Sequence, residues 1–262
     1  MNRAHRLGAL RQALASLDPP VGAGQHGAFS LGAGPVDAAL MGGLARGAVH
    51  EIFPTHAADI PAAAGFAMGL GLRAAPDRPL LWVRHQRVGL EAGALYAPGL
   101  AEAGLSPDRM VVVQAKDVVE GLRAALEALR CSGLGTVILE SWGESRQLDL
   151  TASRRLSLAA EASGVTALML RTMAAPEPSA AATRWSIAAA PSSDIANFPG
   201  KAAFSTELLR QRGGKAGWHW TLEWSHETRA FSQQQALSGA VAAPVFNGPA
   251  APHLQTGWAR AG

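Results

Sequence analysis

Cysteine is almost missing from this chain. Of 262 residues only Cys131 carries a thiol, which excludes an internal disulfide framework and a cysteine-based zinc site. Charge is scarce too. Only 16% of residues are Asp, Glu, Lys or Arg, and the net charge is +3 although the pI is about 9.6. That balance excludes a heavily basic nucleic-acid coat and leaves room for a local basic patch. Long apolar runs are absent. The basic start Met1-Asn2-Arg3-Ala4-His5-Arg6 is followed by no apolar segment of a leader. The expectation is a soluble, cytoplasmic protein without membrane contact. What is plentiful is apolar surface: 48% of residues are hydrophobic, enough for one large α/β core, alone or with appendages.

A second lack is local. Val49 to Phe53 read as a short buried strand, and Pro61 onward, with Ala62, Phe66, Met68, Leu70 and Leu72, reads as a helix. A tight turn joins them. In nucleotide-binding α/β proteins such a turn is G-x-x-x-x-G-K-[ST], whose amides, lysine and hydroxyl hold phosphate and Mg²⁺. Here Pro54 takes the first glycine's place, Asp59 the second, Ile60 that of the lysine and Pro61 that of the Ser/Thr. A phosphate would meet a carboxylate and no cation. Even ~1 kcal/mol of Coulomb energy at close range in water has the wrong sign. Asp59 is expected to cap the helix, and Pro61 suits a first turn that needs no amide hydrogen. The turn reads as a degenerate P-loop with no cofactor.

The rest follows in order. Residues 3–16 place Leu7, Leu10 and Leu14 on one helical face with Arg3, Arg6 and Arg11 around it, a packing arm or a docking helix, ended by Asp18-Pro19-Pro20. Pro79 to Val83 is a second apolar strand, followed by Arg84, His85, Gln86 and Arg87 with no carboxylate before Glu91. Asp117 to Leu129 repeats apolar residues at helical spacing. Thr136 to Ser141 is another strand, with Glu140 near its carboxyl end. A carboxylate there can hold Mg²⁺ through water, but without a phosphate-binding turn the ion has no nucleotide to share. A helix at 151–162 and a strand at 165–170 follow. Arg154 and Arg155 are candidates for DNA phosphate contact, or belong to a charged helix face.

Residues 174–183 read as a mobile loop with nothing basic or aromatic for a nucleic acid to hold. Arg184 to Ile187 resumes a strand. Residues 208–224 then read as a β-hairpin with Trp218, Trp220 and Trp224 on one face, beside Arg210, Arg212 and Lys215. That face either packs on the sheet or binds a partner or nucleic acid; Trp218, Trp220, Trp224 and Arg212 are the candidate partner-binding residues. Beyond Phe231 the composition suggests a disordered tail.

Several of these stretches carry a resemblance. Gly42-Gly43-Leu44…Gly47 leading into a strand with Glu51 is similar to the approach to a RecA-type recombinase core. The Leu139-Glu140-Ser141 strand stands where RecA relatives carry their Walker B segment, Glu140 taking the Asp position. With the Arg184-Trp185 strand and the Leu222-Glu223-Trp224 hairpin, the pattern over roughly residues 5–230 resembles the ImuA family. The resemblance implies an α/β, RecA-like core with a central, mostly parallel sheet flanked by helices. It implies a part in damage-induced (SOS) mutagenesis, beside an ImuB-type inactive Y-family polymerase and an error-prone replicative-type DNA polymerase complex, with RecA and DNA as further contacts.

The expected organisation is an N-terminal helix at 1–20, the core at 21–190, a C-terminal β-hairpin extension at 191–231 and a tail at 232–262. The expected role is a non-catalytic adaptor in translesion synthesis. Two alternatives stay open. One is a divergent DNA-stimulated ATPase whose missing lysine comes from a neighbouring subunit, using His85 or Arg87. The other is a SulA-like cell-division inhibitor.

Overall fold

A computed structural model describes residues 25–193 and 200–234. The N-terminal helix expected at 1–20 lies outside them. The chain begins with a two-stranded clasp in which β1 (Ala28–Phe29) pairs antiparallel with β2 (Leu44–Ala45) around the short helix α1 (Gly34–Ala39). Asp37 holds the turn before α1, accepting from Ser30 Oγ at 2.6 Å and Leu31 N at 2.7 Å. Gly43 is required here. Its φ is +123°, and a Cβ would lie 2.1 Å from the Phe29 carbonyl oxygen.

The main sheet contains nine strands among the described residues. They are β3 (Val49–Pro54), β4 (Leu80–His85), β5 (Met110–Ala115), β6 (Thr136–Trp142), β7 (Thr166–Thr172), β8 (Thr183–Ala189), β9 (Ala203–Gln211), β10 (Trp218–Ser225) and β11 (Ala230–Gln233). Their spatial order is β11-β10-β9-β8-β3-β7-β6-β4-β5. The pairs from β8 to β5 are parallel; β8-β9, β9-β10 and β10-β11 are antiparallel. The central parallel strands are covered on both faces, which is why β6 and β7 read as mainly apolar runs.

Helix α2 (Ile60–Ala74) covers one face; α5 (Val118–Leu129) and α6 (Leu150–Ser163) cover the other. Alternation along β4 assigns each side: Trp82 packs toward α2, Leu81 and Val83 toward α5. After β4 the chain makes α3 (Gln86–Ala92) and α4 (Ala97–Glu102) before reaching the edge strand β5. Gly69 lets α2 sit tight on the sheet, since a Cβ there would come within 2.6 Å of the Phe231 ring.

The C-terminal hairpin departs from expectation in its placement. It is no separate extension. β9 starts at Ala203 and pairs with β8 from Thr183 to Ala189, so the hairpin continues the central sheet. Trp220, Leu222, Trp224 and Phe231 close over α2 together with Phe66, Trp185 and Phe204. Trp224 and Phe231 lie 4.8 Å apart edge to face, and Phe66 and Phe231 5.2 Å apart. Such pairs add about 0.5–1.5 kcal/mol each beyond simple burial. Of the tail expected at 232–262, Ser232 and Gln233 instead belong to β11; residues 235–262 lie outside the described set.

The loop expected to be mobile at 174–183 is pinned down. Ser179 Oγ donates to Glu51, Ala180 N donates to Ser153 Oγ, and Arg210 donates to the Ser179 carbonyl. Ala181 and Ala182 are buried. Among the described residues no helix is long and apolar enough to cross a membrane.

Candidate functional site

The turn between β3 and α2 lacks the glycines, the lysine and the hydroxyl of a phosphate-binding loop. β3 ends at Pro54, and Thr55 N continues the ladder by donating to the Ile187 carbonyl at 2.9 Å. Residues Ala57–Asp59 make one 3₁₀ turn, and α2 starts at Ile60 with Pro61 in its first turn. No residue between Gly47 and Gly93 has a positive φ, so the alternating right- and left-handed backbone of an anion-binding nest cannot form here. Asp59 does not cap α2 as expected. Its Oδ2 accepts from His56 N at 3.1 Å and its Oδ1 from Ala189 N at 2.9 Å, and it makes no bond to the first amides of α2. The end of β8 comes close enough to claim the carboxylate first. Asp59 therefore ties the turn to the sheet.

Glu140 lies in β6 directly beside Arg84 of β4. Its Oε2 accepts from Arg84 Nε at 2.8 Å and from Trp82 Nε1 at 3.0 Å. Arg84 also donates through Nη1 to the Gly93 carbonyl at 2.7 Å, which fixes the end of α3. The side chains are 5% and 0% exposed for Arg84 and Glu140. Burial pushes the Glu140 carboxyl above the usual carboxylate range; the Arg84 charge and the two donated hydrogen bonds pull it back. Its Oε1 has no partner among the described residues. The position that a metal ion would neutralise is neutralised by a guanidinium from the same sheet. No group of three or more His, Cys, Asp or Glu side chains fit for a metal exists among the described residues.

A cavity of about 420 Å³ opens between the first turns of α2, the α3–α4 segment and β10. Ile60 and Pro61 line it, with Met68, Leu100 and Trp224, and Arg84 and Glu140 form its polar floor. The side chains standing at the lysine and hydroxyl positions have turned the space apolar. His85 and Arg87, the residues an ATPase reading would enlist, are engaged otherwise. His85 Nδ1 accepts from Arg87 N at 3.1 Å as the cap of α3. The exposed Arg87 side chain lies 3.6 Å from Glu91 and over the Trp142 ring.

On the opposite face of the sheet Glu51 forms a second buried cluster. Its carboxylate lies 2.7 Å from Arg184 Nη2 and 3.7 Å from Arg171 Nη1. Both guanidiniums stand over the Phe53 ring, Arg184 at 5.7 Å and Arg171 at 5.8 Å from its centre. Burial pulls the Arg171 guanidinium below its ordinary value, with Glu51 opposing. The cluster joins β3, β7 and β8, and Arg184 carries it on to the loop before β8 through the Glu177 carbonyl and Ser179 Oγ.

The other expected site residues are dispersed. Arg154 and Arg155 are both exposed on α6, but adjacent helix positions point about 100° apart. Arg155 faces the groove between α5 and α6; Arg154 does not line it. Trp218, Trp220 and Trp224 share one face as expected, and that face is mostly the inner one. Trp220 is 8% exposed and Trp224 5%, with Trp224 Nε1 donating to the Ala103 carbonyl at 2.8 Å. Trp218 alone reaches the surface, 42% exposed and stacked on Trp220. Arg212 donates to the Ala180 carbonyl. Of the three candidate partner-binding tryptophans, Trp220 and Trp224 therefore belong to the core, and Trp218 alone is exposed. The residues missed from sequence are Arg84 and Trp82. The only hint was an arginine closing an otherwise apolar strand.

No family model matches the chain. Among solved structures, the crystal structure of the RadB recombinase shares the fold, with a TM-score of 0.52 at 15% identity, covering 79% of this chain and 100% of that one. The core is therefore RecA-like. Among curated proteins, Protein ImuA of two Caulobacter vibrioides strains is 34% identical over 200 residues, covering 70% of this chain and 77% of the relative. On that identity and coverage, with the RecA-like sheet beneath it, the chain belongs to the ImuA family.

Proposed function

We propose that this protein is a non-catalytic adaptor in damage-induced mutagenesis. It supports an error-prone translesion DNA polymerase complex in the cytoplasm, together with an ImuB-type inactive Y-family polymerase relative. One observation carries the reading: the buried guanidinium of Arg84 occupies the cation's role at Glu140, while Ile60 and Pro61 stand where a nucleotide needs a lysine and a hydroxyl. A RecA-like frame kept intact around a site without phosphate chemistry suits a protein that works by contact. Membership of the ImuA family supports the setting. RecA and DNA are the further contacts proposed.

Two measurements test it. Calorimetric titration of the full chain with ATP and Mg²⁺ is expected to give no saturable heat at millimolar nucleotide. Micromolar binding that disappears in Glu140→Gln overturns the non-catalytic part. Tagged protein drawn from DNA-damaged cells is expected to bring polymerase subunits with it; their absence overturns the adaptor part.

A further inference from the structure

The sheet face opposite the altered nucleotide turn carries a groove. α5 and α6 lie side by side there, and two cavities of about 500 and 830 Å³ adjoin between them, sharing Leu126 and Arg155. One begins at Gln147 and Asp149, before α6; the other ends at Ala162 and Ser163. The groove therefore follows all 14 residues of α6, or about 20 Å at the rise of an α-helix.

Its floor is apolar. Leu122, Leu126 and Leu158 line it, and Leu158 is 64% exposed, well beyond what a helix face usually leaves in water. Val119 extends the strip at the α5 start, 38% exposed. Val111, on the same face of the neighbouring edge strand β5, is 50% exposed. Of the ten large exposed hydrophobics of the described residues, Val111, Val119 and Leu158 lie on this one face of β5, α5 and α6, while Val112 points to the other side of the sheet. A concentration of this kind marks an interaction surface, where scattered single residues would not.

Its rim is positive. Arg123 and Arg155 have no carboxylate within ion-pair distance among the described residues, and Arg130 pairs only with Glu127 of its own helix. The nearby acid Asp149 is committed to the Ala152 amide at the start of α6. With three arginines and one carboxylate in its lining, the groove carries a net positive charge.

We propose that the groove between α5 and α6 docks an amphipathic helix of three to four turns from a partner protein, with leucine-like side chains inward and carboxylates along both rims. The apolar floor suits helix-in-groove recognition, and the length and flanking arginines set how long that helix is and what charge it carries. A nucleic acid fits less well. Its phosphates would meet Arg123 and Arg155, but the leucine floor gives its bases nothing to stack on. The inference deepens the adaptor reading and rests on it, while using none of the residues of the nucleotide turn.

The test is a selection. A displayed library of helical peptides of three to four turns is panned against the purified full chain. It is counter-panned against Arg123→Glu/Arg155→Glu and against Leu158→Glu, each checked for unchanged thermal unfolding. Enriched peptides are expected to carry leucine-like residues at i, i+3, i+4 and i+7 with Glu or Asp beside them. In fluorescence anisotropy the arginine reversal is expected to weaken them roughly tenfold or more. Three results overturn the proposal. One is a selection that yields no peptide binding the parent better than both variants. Another is a labelled single-stranded oligonucleotide that binds the parent, loses binding in the arginine variant and displaces the peptides. The third is sedimentation showing that the parent self-associates through this face. ATP titration and recovery from damaged cells decide the adaptor reading separately, so either can fail alone.

Discussion

Arg84 and Glu140 are locked together across adjacent parallel strands, with Nε 2.8 Å from Oε2 and both side chains out of water. Buried pairs of this kind contribute little net stability compared with apolar residues, but breaking one leaves an uncompensated charge. Arg84→Met alone is expected to cost about 3–5 kcal/mol in urea unfolding. Adding Glu140→Gln removes the stranded charge and keeps an acceptor for Trp82 Nε1, so the double variant is expected to be more stable than Arg84→Met. Strictly additive losses would show that the pair does not act as a unit.

Asp59 makes a different kind of prediction. It serves two backbone donors, His56 N and Ala189 N, from a nearly buried position. Asp59→Ala strands both amides and is expected to cost about 1–3 kcal/mol, whereas Asp59→Asn keeps one acceptor oxygen and loses less. Equal losses, measured by thermal unfolding, would mean that the charge and not the two bonds matters.

These two residues also show how much the sequence discloses. The parallel strands were legible because a strand covered on both faces is an unbroken apolar run, as in Thr136 to Leu139. α5 was legible from its spacing; that the Asp117 side chain caps it, accepting from Glu120 N, is seen only in the structure. The residue types at Pro54, Asp59, Ile60 and Pro61, with no glycine, lysine or hydroxyl among them, were read directly from the sequence. The partner of Glu140 was not. Arg84 stands 56 positions away and meets it only because β4 lies next to β6, an order no local pattern encodes. Asp59 marked a helix start correctly, but β8, far along the chain, decided which amides it serves. The tryptophan alternation on β10 gave a shared face, and period two cannot say which face turns inward.

His50 supplies the pH dependence. It is fully buried between β2 and β8, its Nε2 donating to the Ala45 carbonyl at 2.9 Å while Nδ1 meets Thr183 Oγ1 at 2.8 Å. Burial lowers its pKa to about 4, with Arg212 adding to the effect and the Ala45 bond opposing it. A lowered value means that the folded state resists protonation. The stabilisation is full above the ordinary histidine pKa and is lost as pH falls from about 6.5 toward 4. The loss is expected to reach about 3 kcal/mol at its limit. Urea unfolding of the parent and of His50→Gln across that range checks it: the parent should lose more stability than the variant, and parallel curves would assign the acid sensitivity to other groups.

The tryptophans of β10 separate core from surface. Trp224 is packed on Phe231 and bonded to the Ala103 carbonyl, and Trp218 covers Trp220 from outside. Trp224→Ala removes a buried indole and leaves that carbonyl without its donor, so it is expected to cost about 3–5 kcal/mol. Trp218→Ala removes a ring that is largely in water and is expected to cost under about 1 kcal/mol in urea unfolding. The same pair divides the roles in binding. If the hairpin contacts a polymerase subunit, Trp218→Ala should reduce its recovery from damaged cells while leaving the fold intact. Trp224→Ala should reduce recovery only in proportion to the folded protein that remains. Recovery unchanged by Trp218→Ala would leave the hairpin as a covering for α2 and nothing more.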